Sequence, residues 1–357
     1  MSDHLEQAGL VAMLYEGNEM KLYLTPTPSL ELIRYLRATN GEDGLGGTSL
    51  RKRSLADAIN TTRALDELDV VAQRWIEHAG VPVHAFVNDR SKGTTTKRLV
   101  THVHSGYTPN GAMIDLGHDV CICAPHFAFT QIAAEVDLVD AVRIGMELCG
   151  TYSRWILDPN DGDRQHESGR DLISNRGCTF KVPAAMRLSR ARAFVERQSH
   201  YRGIRAAQSA LKWVLDGSAS PMETAVYLLL CLPKRLGGYG LPKPVLNPKL
   251  LVSNPDGTKE RYPDLFFAGA NIDVEYNSDS EHSGEWCRYR DSKREVELTV
   301  ANIKVLPLTR PQLMSTDEFD AFAQGLRRML GVRSRATDLE WAFRRDELRR
   351  RLLASWL

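Results

Sequence analysis

The sequence predicts an α/β (α+β) protein of two domains, and three observations carry that expectation. Short alternating apolar segments bounded by Gly, Pro and Asn cluster between residues 83 and 123, which argues a small mixed or antiparallel sheet. Around them run stretches with apolar residues at a period near 3.6, the pattern of amphipathic helices. Between residues 220 and 309 come a helix, two strands joined by a tight turn, a second helix and a last strand, an order suited to one layered core. The chain has 357 residues; single cores rarely grow past about 250–300.

An apolar content of 43%, a charged content of 25% and a net charge of +1 are those of a globular protein with no overall attraction to nucleic acid. Any basic surface must be local. No cleavable leader pattern opens the sequence, and no apolar run approaches the roughly 18 residues that a membrane span needs. A cytoplasmic protein is the expectation, with no membrane partner. Cys121, Cys123, Cys149, Cys178, Cys231 and Cys287 form no C-x-x-C pair, which suits buried thiols in a reducing compartment, without disulfides or structural zinc.

Taken in order, an apolar segment over 8–15 and the strand-like Lys21-Leu22-Tyr23-Leu24 end at Pro26 and Pro28. Ser29 then reads as the cap of a helix over 30–38, on the spacing of Leu32, Ile33 and Leu36. Four glycines over 41–47 and Arg51-Lys52-Arg53 mark a loop with a basic cluster, either a solvated loop or a nucleic-acid contact. A helix over 55–79 stops at Gly80. Strands are expected over 83–87, 99–104, 112–114 and 120–123, then helices over 124–135 and 138–149. His102 and His104 share a face, as do Cys121 and Cys123, so a His2Cys2 metal set and ordinary surface imidazoles with buried thiols both remain open. The polar run 158–170 is an exposed loop or linker. Arg187, Arg190, Arg192, Arg197, Arg202 and Arg205 crowd a helical segment that is either a solvated face or a phosphate-facing one.

Ser220-Pro221-Met222-Glu223 is a capping box: a serine cap, proline at the first position and glutamate at the third. The helix body over 225–232 is apolar all round and ends at Pro233. Residues 236–242 are rich in glycine but lack the lysine and hydroxyl of a phosphate-cradling loop, so they read as a backbone turn. A strand over 250–253 and the turn Pro255-Asp256-Gly257 lead to a strand over 261–267, and Ala268-Gly269-Ala270-Asn271 reverses that strand into 272–277. Period 2 puts Asp264 with Phe266, and Asp273 with Glu275 and Asn277. If register joins those faces, Asp264 and Glu275 share a divalent cation able to bind a scissile phosphate and activate water.

The order of Glu223 on a helix, Asp264 on a strand, Glu275-Tyr276-Asn277 on the next, then helix and strand resembles the PD-(D/E)XK nuclease superfamily, nearest the very-short-patch-repair endonuclease branch. His282, Arg288, Asp291 and Arg294 are similar to that branch's downstream histidine, aspartate and arginine. The resemblance covers residues 205–310 and implies a restriction-endonuclease-like α-β-β-β-α-β core. The preceding part resembles, more loosely, uncharacterised actinobacterial proteins with the layout of AbiEi-type antitoxins. One departure stands out: the third position of the motif, usually Lys and often Asp in this branch, is Asn277, which carries no charge and cannot act as a base.

These readings divide the chain into a mixed N-terminal domain over 1–155, a connecting segment over 156–200, a nuclease-like domain over 201–312 and C-terminal helices over 313–357. The tail helix, with Arg344, Arg345, Arg349, Arg350 and Arg351, is suited to packing on the body, to nucleic acid or to a second chain. The leading expectation is an Mg2+-dependent (or Mn2+-dependent) DNA endonuclease acting in defence or repair. Asp264 and Glu275 hold the metal, Glu223 assists, Asn277 positions water or phosphate, and Arg288, Lys293, Arg294 and His282 meet DNA. The alternative is a catalytically silent nucleic-acid-binding or antitoxin-like regulator; a third reading is a protein-interaction module. A homodimer and a protein partner for the N-terminal domain remain open.

Overall fold

A computed structural model of the chain describes residues 20–41, 44–154, 177–198, 201–254, 257–277, 298, 301–333 and 339–354. Contacts gather them into two units, one from 20–141 with Ser189–Gln208, the other from 142–154, 177–188 and the residues from Ser209 on. Both units, among the described residues, are mixed α and β. Among the described residues no helix is long and apolar enough to cross a membrane.

The first unit opens with β1 (Leu22–Tyr23), α1 (Pro26–Thr39), β2 (Thr48–Ser49), α2 (Thr62–Asp66) and α3 (Val70–Ala79). There follow β3 (Val83–Val87), β4 (Leu99–Val103), β5 (Met113–Asp115), β6 (Val120–Cys123) and α4 (Pro125–Ile132). One mixed sheet has the order β1-β6-β5-β2, and β3 and β4 form a separate parallel pair. Helix α1 packs against α3, α4 and β6.

Two helices differ from expectation. Helix α1 starts at Pro26 because proline suits the first turn, where its missing N–H has no partner to lose. Ser29 lies inside it, fully buried, donating to Leu24 O at 3.2 Å and accepting from Cys123 N at 2.9 Å. The expected helix over 55–79 is two helices, since the Thr61 and Asp69 side chains each accept from backbone N–H groups and cap a new start. Gly80, at φ 99°, ends the second.

The chain continues through α5 (Leu138–Cys149), β7 (Tyr152–Ser153), β8 (Thr179–Phe180), α6 (Leu188–Arg197) and α7 (Ile204–Leu211). The second unit then adds α8 (Pro221–Cys231), β9 (Val245–Leu246), β10 (Leu250–Asn254), β11 (Gly257–Arg261), β12 (Leu265–Phe267), β13 (Ile272–Asn277), β14 (Lys304–Thr309), α9 (Arg310–Met314), α10 (Thr316–Met329) and α11 (Leu339–Leu353). Its main sheet has the order β14-β13-β12-β9. Strands β9, β12 and β13 are antiparallel neighbours, and β14 runs parallel to β13. Helix α8, buried from Met222 to Cys231, packs against β13.

The glycine-rich turn folds back onto the end of α8: Tyr239 N, Leu241 N and Gly240 N donate to Leu229 O, Leu230 O and Leu232 O. Gly238 permits this, since a Cβ there would lie 2.1 Å from Leu232 O. Of the roles open to the tail helix, packing on its own unit is realised. Trp341, Leu348, Leu352 and Leu353 are buried, Trp341 Nε1 donates to Gly238 O at 3.1 Å, and Arg349 donates to Leu313 O at 2.7 Å.

Ser29 bridges two backbone groups in the core of the first unit, so Ser29→Ala leaves a buried Cys123 N–H without its acceptor. Urea denaturation should show a loss of about 1–3 kcal/mol, whereas Ser29→Thr, which keeps the hydroxyl, should lose less.

Candidate active site

Glu223 owes its position to the start of α8. Ser220 accepts from Glu223 N at 3.1 Å, and Pro221 takes the first helical position. A standard capping box would return the glutamate to the cap's own N–H; here Oε2 accepts instead from Ala219 N at 2.9 Å and Asn247 Nδ2 at 2.6 Å. The side chain is only 7% exposed as a residue. Burial raises its carboxyl above the ordinary glutamic-acid value, and the donors from Ala219, Asn247 and Ser220 pull in the opposite direction.

Asn247 joins that carboxylate to the sheet. It sits at φ 45°, a left-handed conformation that asparagine tolerates better than most residues, and its backbone N donates to Asp264 O at 3.2 Å. One residue thus touches Glu223 through its side chain and Asp264 through its main chain. The sequence reading passed over it, although Asn247-Pro248 is a turn signal that marks the spot.

Asp264 stands one residue before β12. The antiparallel register pairs Leu265 with Val274 and Phe266 with Asp273, and continuing it by one residue sets Asp264 across from Glu275. The carboxylate of Asp264 accepts from Tyr276 N at 2.9 Å, which pins it to the end of β13. Its strand is shorter than the expected 261–267, because Arg261 belongs to the β10–β11 pair and Pro263 has no N–H for the ladder.

Along β13 one face passes from dry to open. Asp273 is paired with Phe266 on one side and Val305 on the other, and is 0% exposed. Phe266 and Val305 pack against the cluster of Val252, Leu298 and Ile303. Two residues on, Glu275 is half-buried; a further two on, Asn277 is exposed and registered with Thr309. The polar end of the strand is therefore its accessible end, and Asp264 lies beside it.

Two carboxylates on neighbouring strands are hard oxygen donors, a set that fits a magnesium or manganese ion keeping several of its own waters. Among the described residues no group of three or more His, Cys, Asp or Glu is placed to hold one metal ion. Glu223 thus meets this pair through Asn247, not as a third member of one cluster. His282, Arg288, Lys293 and Arg294 lie outside the described residues. The His2Cys2 set does not assemble: His102 Nε2 lies 2.8 Å from His84 Nδ1 on β3, whereas Cys123, in the other sheet, donates to Leu24 O. Comparison with protein-family models, curated proteins and solved structures finds no match for this chain.

The raised Glu223 carboxyl makes stability depend on pH with a definite sign. Its contribution is fully present below the ordinary value of 4.5 and is lost as pH rises through the raised native value. Glu223→Gln keeps an acceptor oxygen without the charge, so its melting temperature should gain on the wild type between pH 4 and pH 7. Glu223→Ala strands the donors of Ala219 and Asn247 and should cost about 1–3 kcal/mol. A Gln variant that loses ground with rising pH would contradict this assignment.

Proposed function

We propose that the second unit hydrolyses phosphodiester bonds of DNA with the help of Mg2+ or Mn2+, on a core of the PD-(D/E)XK kind. The observation that carries the reading is the placing of Asp264 across from Glu275 at one end of the β12–β13 pair. The strand order supports it: α8 is followed by β9, β12 and β13 as antiparallel neighbours and by β14 parallel to β13, with Leu298 helical between the last two. In our reading these elements correspond to the α-β-β-β-α-β succession, with the β10–β11 hairpin inserted.

In this reading Asp264 and Glu275 hold the cation. When bound, that ion supplies Lewis acidity at a phosphate oxygen and a water of lowered pKa. Glu223 acts through Asn247, holding the main chain at Asp264 so that the carboxylate pair keeps its spacing. Asn277, at the accessible end of β13, donates its amide N–H to a phosphate oxygen or orients water. It cannot take a proton, and for that reason a silent, nucleic-acid-binding regulator on the same core is the second reading.

Incubating wild type and Glu275→Ala with plasmid and single-stranded DNA, in Mg2+, Mn2+ or chelator, separates the two. The expected outcome is metal-dependent nicking by the wild type and at least a hundredfold loss in the variant, on the scale of a removed electrostatic contact to the transition state. Equal cutting by both proteins would remove Glu275 from the mechanism. Binding without cutting by either would favour the regulator.

A further inference from the structure

The first unit carries a line of rings that its core does not need. In the parallel pair of β3 and β4, Val83, Ala85, Val87 and Leu99 are buried. The alternate positions place His84, Phe86 and His102 on the other face, with His104 just beyond the strand. The His84 and His102 rings stack with centroids 5.0 Å apart and planes within 22°. Phe86 lies 5.3 Å from His104, and His104 stacks on Tyr201 at 6.4 Å and 12°. Tyr201 Oη donates to Tyr107 O at 2.8 Å, and the Lys52 ammonium sits 5.4 Å from the centre of the Tyr107 ring.

These rings are not a closed core. Tyr107 is 59% exposed; His102, Lys52 and Arg51 are exposed, and His84, Phe86, His104 and Tyr201 are half-buried. Burial lowers the proton affinity of His84 and His104, and the His102 ring adds to the effect on His84. Both shifts favour the uncharged form of the ring, and a positive charge reaches this face through Lys52, whose ammonium lies over Tyr107, with the exposed Arg51 next to it in the chain. A single strand of nucleic acid offers the complementary alternation of flat base and phosphate, and a duplex hides its base faces inside the stack.

We propose that this face of the first unit is a binding site for single-stranded DNA, with unpaired bases stacking on Tyr107 and the neighbouring rings and phosphates meeting Lys52 and Arg51. The choice of DNA over RNA rests on the reading of the second unit as a DNA-cleaving one; the stacking face itself does not. Each stacked base on such a platform is worth a large factor in affinity, whereas one or two phosphate contacts give a shallow salt dependence, about 0.7 in log–log slope per contact.

The test is fluorescence anisotropy of a labelled thymidine dodecamer titrated with the full-length protein in EDTA, with a duplex of the same length and a uridine dodecamer as competitors. Tighter binding of the DNA single strand than of either competitor is expected. Tyr107→Ala, which leaves the carbonyl used by Tyr201 in place, should weaken binding at least about fivefold. Lys52→Ala should lower the salt slope by about 0.7. Phe343→Ala, which removes a 75% exposed ring of the second unit, should change nothing. Equal affinity for duplex, preference for the uridine strand, no binding at all, or an unaffected Tyr107→Ala would each overturn the proposal. The chelator prevents metal-dependent cleavage, so failure of the nuclease reading would show in the plasmid assay and leave this result standing.

Discussion

The parallel pairing of β13 with β14 governs the second unit. Six consecutive residues, Ile272 to Asn277, are registered with Lys304 to Thr309. Parallel neighbours cannot be joined by a hairpin, so the chain must leave at one end of the sheet and return to the other. Strand β12, antiparallel to β13, begins where β13 ends. Asp264, Glu275, Asn277 and Thr309 therefore meet at a single rim, although they lie up to 45 residues apart in the chain. Burial falls along β13 toward that rim, from Asp273 through Glu275 to Asn277.

A buried carboxylate needs compensation, and α8 shows how it is provided. Glu223 is taken out of water by a helix that is otherwise largely apolar, and the donors from Ala219 and Asn247 arrive at one of its oxygens. One of them, Asn247, has its main chain fixed by Asp264. The far end of α8 is held as firmly. Its last carbonyls accept from the turn at Gly238 to Leu241, and α11 closes over that turn through Trp341. The helix carrying Glu223 is therefore anchored at both ends, a condition for presenting one side chain to the sheet with little freedom.

Much of this was legible because it is local. Pro221 and the serine cap, the apolar body of α8 and the reversal at Ala268 to Asn271 depend on residues a few positions apart, and the structure has them where the pattern put them. Period 2 likewise anticipated which residues of β12 and β13 share a face. What was illegible depends on distant partners. Ser29 has the local marks of a helix cap, whereas its acceptor role is toward Cys123, 94 residues away. Asn247 carries no chemistry of its own until Glu223 and Asp264 are brought to it. The ring line from His84 to Tyr201 spans more than a hundred residues, and no periodicity in the chain announces it. The helix over 55–79 divides for a local reason: Thr61 and Asp69 can each start a helix without disturbing the apolar spacing.

The two units are also discontinuous in the chain. The first draws on residues up to Ala141 and again on Ser189–Gln208, and residues 142–154 and 177–188, which belong to the second, lie between. During synthesis a domain folds once its residues have emerged from the ribosome. The first unit therefore stays incomplete until Gln208 has emerged, by which time segments of the second have already emerged without their partners at Asp216, Ser218 and Thr224. Maturation of this protein is thus interleaved, with early segments of the second unit waiting for the start of α8 to arrive.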